Sequence, residues 1–188
     1  MKKKIGVLAV QGAFAEHIDM LHTLGADGIE IRQKSDLRDD LEGIILPGGE
    51  STVIGKLLKE LNMLYPLKGM ILEGIPVFGT CAGMILLAGQ IVNDPHIYLG
   101  TMDISVKRNA YGRQLGSFQT MEPMANVGDI PMVFIRAPYI EHIGKEAEIL
   151  ATYDGHIVAA RQKHMLVTSF HPELTKDTGV HQYFIEQL

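Results

Sequence analysis

The chain has a single cysteine, Cys81, in 188 residues. One cysteine cannot close an internal disulfide, so the expected home is a reducing cytoplasm. A surplus of positive charge is also missing. The formal net charge is −5, and a nucleic-acid binder needs an excess of Lys and Arg to neutralise phosphates. Long apolar runs are absent, and none approaches the roughly 18 residues of a membrane span. Lys2-Lys3-Lys4 followed by the apolar run 5–10 imitates a secretory signal, with Ala13-Phe14-Ala15 resembling a cleavage pattern. That run stops at Gln11-Gly12, short of the roughly 7–15 residues of a secretory core, and reads instead as a buried strand. No close group of His and Cys has zinc-site spacing, so no metal is expected. Repeats, low-complexity tracts and linkers are lacking too, which predicts one domain over 1–188.

What is present is a globular composition, 46% apolar and 21% charged, rich enough in apolar residues for a continuous core. The first half alternates two periodicities. Apolar runs at 5–10, 43–46 and 75–78 predict strands, and 29–33 can form another. Between them Phe14, Ile18, Leu21 and Leu24, and then Leu57, Leu58 and Leu61 within 52–62, predict helices, as does the apolar stretch 82–90. Strands alternating with helices imply a parallel sheet covered on both faces. From about residue 98 strand patterns dominate, at 102–107, 114–121, 132–135, 148–153, 157–161 and 166–170, with turns at Tyr111-Gly112 and Asp154-Gly155. Val180, Phe184 and Leu188 recur every fourth residue and predict a closing helix. The fold class is therefore α/β with a mixed sheet.

Gly79-Thr80-Cys81-Ala82-Gly83 sits between a predicted strand and a predicted helix. By itself a lone cysteine is a small buried apolar residue. On a sharp strand-to-helix turn, however, it projects from the carboxyl edge of the sheet, where open α/β folds place their sites. Glycines two positions to either side let strand and helix approach closely. The helix N-terminus adds positive potential and free N–H groups, which suit an oxyanion.

A nucleophile needs a base. His171-Pro172-Glu173 follows the predicted strand 166–170, and residues two apart on an extended chain point the same way. A carboxylate beside an imidazole fixes its tautomer and stabilises the imidazolium formed when it takes a thiol proton. The other seven histidines, His17 among them, show no orienting acid in a comparable extended setting. Glu141-His142 is the nearest rival, in what reads as a proline-flanked loop.

Pro47-Gly48-Gly49-Glu50-Ser51-Thr52 ends another strand and opens a helix that Ser51 or Thr52 can cap. No Gly-Lys-Ser/Thr follows, so it is not a Walker phosphate loop. Pro-Gly-Gly-Glu-Ser-Thr, Gly-Thr-Cys-Ala-Gly and Ser-Phe-His-Pro-Glu, in this order, resemble the class I (triad) glutamine amidotransferases. Three further blocks narrow the resemblance to the glutaminase subunit of pyridoxal 5′-phosphate synthase. They are residues 6–12 with Glu16-His17, residues 108–114, and Phe134-Ile135-Arg136-Ala137-Pro138.

The resemblance implies a three-layer, flavodoxin-like fold and hydrolysis of L-glutamine to glutamate and ammonia, a chemistry that requires no cofactor. It implies Cys81 as nucleophile, His171 as base and Glu173 as its orienter. Gly49, Glu50 and Ser51 would hold glutamine, with Arg108, Ile135 and Arg136 completing the pocket. The backbone N–H groups of Gly49 and Ala82 would form the oxyanion hole. By charge, Glu50 suits the α-ammonium of glutamine and Arg108 its α-carboxylate. The implied partner is the barrel-shaped synthase subunit that consumes the ammonia, with the Gln11-Gly12 turn a candidate for coupling the two. A glutaminase serving another acceptor, such as imidazole-glycerol-phosphate synthase, would share the same triad.

Overall fold

The computed structural model describes residues 2–109 and 116–187; the turn expected at Tyr111-Gly112 lies outside them. Four short apolar runs form the centre of the sheet: β1 (Lys4–Leu8), β3 (Gly43–Leu46), β4 (Val77–Thr80) and β12 (Met165–Thr168). Nearly every residue in them is buried, as parallel strands covered on both faces require. Their side chains alternate between two cores. Ile44, Leu46, Val77 and Val167 enter one; Ile45, Phe78 and Leu166 enter the other. The first is covered by α2 (Ser51–Glu60), α3 (Leu64–Leu72) and α4 (Ala82–Leu87), through Ile54, Leu58, Leu67, Ile71 and Leu86. The second is covered by α1 (Phe14–Thr23) and α5 (Gly179–Ile185), through Leu21, Val180 and Phe184. Helix, sheet and helix make the three layers that the alternating pattern predicts.

The rest of the main sheet comprises β2 (Asp27–Ile31), β5 (Ala88–Ile91), β6 (Met102–Lys107), β9 (Tyr139–Ile143), β10 (Glu148–Tyr153) and β11 (His156–Gln162). Strand order is β2-β1-β3-β4-β12-β11-β9-β6-β5, with β10 paired to β11. The pairs from β2 to β12 are parallel, and β11 and β9 are joined to their neighbours antiparallel. A separate hairpin, β7 (Ser117–Met124) and β8 (Gly128–Ile135), lays Ile130, Met132 and Phe134 onto the second core. Two registers matter most for the site. Leu46 lies opposite Gly79, and Thr80 opposite Thr168, so β3, β4 and β12 end side by side.

Several boundaries differ from the expectation. The helix expected over 82–90 stops at Leu87, because the carbonyls of Leu86 and Leu87 accept N–H groups of Leu99 and Thr101. Ala88–Ile91 then pairs with β6. Residues 141 and 142 lie in strand β9 and not in a loop, with His142 opposite Ser105. The second strand runs Asp27–Ile31, two residues earlier than expected. No element was expected over 64–72, where α3 forms. Pro66 is its third residue, a position where a helix has no use for the missing N–H. The Asp154-Gly155 turn forms as expected, with both φ angles positive (49° and 77°) as a two-residue hairpin of this kind needs. Among the described residues no helix is long and apolar enough to cross a membrane.

Candidate active site

Three loops leave the sheet at one edge because β3, β4 and β12 are neighbours. Cys81 comes directly off β4 and has φ 50° and ψ −99°. A positive φ at a non-glycine residue costs on the order of 1–3 kcal/mol and persists only where the surroundings over-determine it. Here the Cys81 N–H donates to the Thr168 carbonyl across the sheet (2.8 Å), and its own carbonyl accepts from Ile85 (3.3 Å). Close packing of α4 on β3 holds the other side. A Cβ at Gly83 would lie 2.0 Å from the Leu46 carbonyl oxygen, so only glycine lets the helix start there. Ala82 is the first residue of α4, and its N–H has no acceptor within the helix.

His171 follows β12 and is anchored by its N–H to the Val133 carbonyl (2.8 Å). Its pairing with Glu173 is achieved differently from expectation. The chain does not stay extended; Pro172–Leu174 forms a 3₁₀ turn, and the Leu174 N–H bonds back to the His171 carbonyl (3.3 Å). That turn brings Glu173 Oε1 to 2.7 Å from His171 Nδ1, with both side chains buried. Burial alone would disfavour the imidazolium, but the hydrogen bonds to Cys81 and Glu173, and their negative charges, outweigh it. The His171 pKa is pushed up to about 10.

Gly48 fits between these two residues. A Cβ there would lie 2.3 Å from His171 Cε1 and 3.5 Å from Cys81 Cβ. Cys81 and His171 open into a cleft of about 410 Å³, which Gly49, Glu50, Ser51, Arg108, Ile135 and Arg136 also line. The volume suits a small ligand. Glu173 and Ala82 are buried and do not line that cleft. Glu50 and Arg136 face each other at 3.3 Å, both well exposed. Arg108 is more firmly held: Nη1 meets Asp94 Oδ2 at 3.0 Å and Nη2 donates to the Tyr98 hydroxyl at 3.2 Å. The two charges expected to meet substrate thus already have protein partners.

Some residues that shape the site escaped the sequence reading. Gln11, expected only as a coupling contact to the partner, also lines the cleft and accepts the Glu50 N–H on Oε1 (2.8 Å). Asp94 and Tyr98 hold Arg108 without any motif to signal it. His17, read as lacking an acid, has Glu173 Oε2 3.6 Å from its Nε2. The only hint was its place in the Glu16-His17 pair. Among the described residues no group of three or more His, Cys, Asp or Glu converges to hold a metal ion.

The chain resembles known proteins across nearly its whole length. A pyridoxal 5′-phosphate synthase subunit PdxT of Streptococcus pneumoniae (strain CGSP14) is 60% identical over 186 residues, covering 97% of this chain and 96% of the relative. The protein of the same description from Haemophilus influenzae (strain PittGG) is 59% identical, covering 97% of each. A crystal structure described as a glutamine amidotransferase superposes with a TM-score of 0.93 at 44% identity, covering 97% of both chains. The family model for the SNO glutamine amidotransferases matches residues 7–188. With strands β3, β4 and β12 delivering Gly49, Cys81 and His171 to one cleft, the chain belongs to the SNO glutamine amidotransferase family.

Proposed function

We propose that this chain hydrolyses the side-chain amide of L-glutamine and passes the ammonia to a pyridoxal 5′-phosphate synthase subunit. The observation that carries the chemistry is the Thr80–Thr168 register, which sets Cys81 beside His171 with Glu173 at 2.7 Å. The family and the two PdxT relatives support the substrate and the destination of the ammonia.

Cys81 attacks the carboxamide carbon as a thiolate, forming a C–S bond and a tetrahedral oxyanion. Backbone N–H groups of Ala82 and Gly49 stabilise that oxyanion. His171, protonated while its pKa stands near 10, gives its proton to the departing nitrogen, so the C–N bond breaks and ammonia leaves. The glutamyl thioester remains. His171, now neutral, takes a proton from water as the water attacks the thioester, and glutamate leaves with the Cys81 sulfur restored as thiolate. Glu173 keeps Nδ1–H pinned throughout, so that Nε2 is the nitrogen that exchanges protons.

Glu50 receives the α-ammonium and Arg108 the α-carboxylate of glutamine, with Ser51 and the Ile135-Arg136 segment closing the pocket. The Glu50–Arg136 pair does not stand in the way. Exposed ion pairs contribute about 0–1 kcal/mol, so a substrate ammonium can displace the guanidinium from Glu50. Free ammonia at neutral pH is mostly ammonium and no nucleophile, which is why a synthase partner must take it directly. The reaction needs no cofactor, and a cytoplasmic setting suits its thiol.

The test is labelling with the glutamine-mimicking electrophile 6-diazo-5-oxo-norleucine in the presence of the synthase subunit. Mass spectrometry is expected to find the adduct on Cys81, and Cys81→Ala is expected to abolish glutamate release. An unlabelled Cys81, or a Cys81→Ala protein that still hydrolyses glutamine, defeats the reading.

A further inference from the structure

The mechanism leaves two buried histidines unused. His17 on α1 and His181 on α5 are both fully buried, and neither lines the cleft. His17 Nδ1 is 2.8 Å from His181 Nε2. His17 Nε2 is 3.2 Å from Thr80 Oγ1 and 3.6 Å from Glu173 Oε2. Glu173 Oε2 and His181 Nδ1 are buried, and neither has a hydrogen-bond partner among the described residues.

The tautomers follow from where the protons can go. Burial keeps His181 neutral, with its pKa lowered to about 4. Burial, followed by the nearby His181 and His171, holds His17 well below its ordinary value. Each ring therefore carries one N–H. If His17 were protonated on Nδ1, it would donate to His181 Nε2 and leave His181 with a buried N–H on Nδ1 facing nothing. It would also turn a lone pair on Nε2 toward the carboxylate oxygen of Glu173. The opposite assignment avoids both faults. His181 Nε2–H donates to His17 Nδ1, and His17 Nε2–H points between Thr80 Oγ1 and Glu173 Oε2. What His181 Nδ1 then leaves unpaired is a bare lone pair, and a buried unpaired donor is the costlier orphan.

We propose that His17 is a positioning residue for the glutaminase reaction. Its Nε2–H dipole faces Glu173 Oε2 at 3.6 Å, the oxygen that His171 does not bond, and His181 fixes the tautomer that makes this possible. One oxygen of the carboxylate takes the His171 Nδ1–H hydrogen bond at 2.7 Å; the other faces the Nε2–H of neutral His17 at 3.6 Å, an electrostatic contact longer than a hydrogen bond. His17 reaches the reacting atoms only through Glu173 and His171.

This inference rests on the glutaminase reading above, and the experiment separates the two. The assay is glutamate release from L-glutamine by the complex with the synthase subunit. His17→Leu is expected to lower kcat about tenfold with KM within about twofold, since an orienter acts on the proton-transfer step and not on substrate binding. His17→Gln sets an amide N–H where Nε2 stands, and should recover kcat to within about threefold of wild type; His17→Asn reaches only the Nδ1 position and should not. In a Glu173→Gln background His17→Leu should change kcat by less than about twofold, because its route of action is already gone. A Gln variant no better than the Asn variant, or an equal loss in both backgrounds, overturns the inference. Should His17→Leu fail to fold, the Gln and Asn pair decides. A wild-type complex that releases no glutamate overturns the glutaminase reading and this inference with it.

Discussion

At the scale of single residues, the site turns on one proton shared among Cys81, His171 and Glu173. The His171 pKa is pushed up to about 10 against the cost of burial by its hydrogen bonds to Cys81 and Glu173 and by their charges. Replacing Cys81 by Ala removes one hydrogen bond and one charge while leaving the burial and Glu173 in place. The His171 ring in Cys81→Ala is therefore expected to titrate at a lower pH than in wild type, read by NMR from its Cε1 proton. An unchanged titration would show that the sulfur does not hold the proton. The sign for stability follows from linkage. A raised pKa means that the folded protein keeps a proton the unfolded chain loses near 6.5. The stabilisation from His171 is fully present below pH 6.5 and is lost as pH rises toward about 10. Chemical denaturation at intervals across that window should show this component shrinking with pH, and shrinking less in Cys81→Ala.

At the scale of elements, the elbow between β4 and α4 depends on close approach more than on any side chain. A methyl at Gly83 would meet the backbone of Leu46, with its carbonyl oxygen at 2.0 Å and its carbon at 2.9 Å. Backbone cannot rotate away as a side-chain tip can. Gly83→Ala should therefore shift α4 off β3, destabilise by about 1–3 kcal/mol and lower Tm by several degrees. Glutaminase activity should fall with it, because Ala82 N–H and Cys81 move with the helix; an unchanged Tm and kcat would show that the packing is looser. The Gly79–Gly83 pattern and the strand before it were legible in the sequence because they are local: a short apolar run, two small residues and a nucleophile type at fixed spacing. His-Pro-Glu was legible for the same reason, although a 3₁₀ turn and not an extended chain makes the pair. What stayed hidden depends on distant parts of the chain. Helix α4 ends early because Leu99 and Thr101 take its last carbonyls, which no pattern within 82–90 records. Arg108 finds Asp94 and Tyr98, and His17 finds Glu173, only once the chain has folded.

At the scale of the whole molecule, the loop after β1 is tied to the loop after β3. The Ala13 N–H donates to the Gly48 carbonyl (3.1 Å), and Gln11 Oε1 accepts the Glu50 N–H (2.8 Å). A Cβ at Gly49 would lie 2.4 Å from that same Gln11 oxygen, so the Gln11 amide lies directly against the Gly49 backbone. Because a trans peptide sets C=O and N–H in opposite directions, the Ala13 bond to Gly48 also fixes where the Gly49 N–H points. A protein seated on the rim at residues 11–13 would thus act on the backbone proposed to bind the oxyanion, through two hydrogen bonds and no moving domain. The expectation is weak glutamine hydrolysis by the isolated chain and a marked rise on adding the synthase subunit. Gln11→Ala separates coupling from catalysis. It removes one hydrogen bond of about 0.5–1.5 kcal/mol, so the partner-stimulated rate should fall about 2- to 10-fold. The isolated chain, which also loses that bond, should show a Tm lower by a few degrees and a fall in its slow rate smaller than the fall in the stimulated rate. Full stimulation of Gln11→Ala by the partner would show that the two loops are coupled without this side chain.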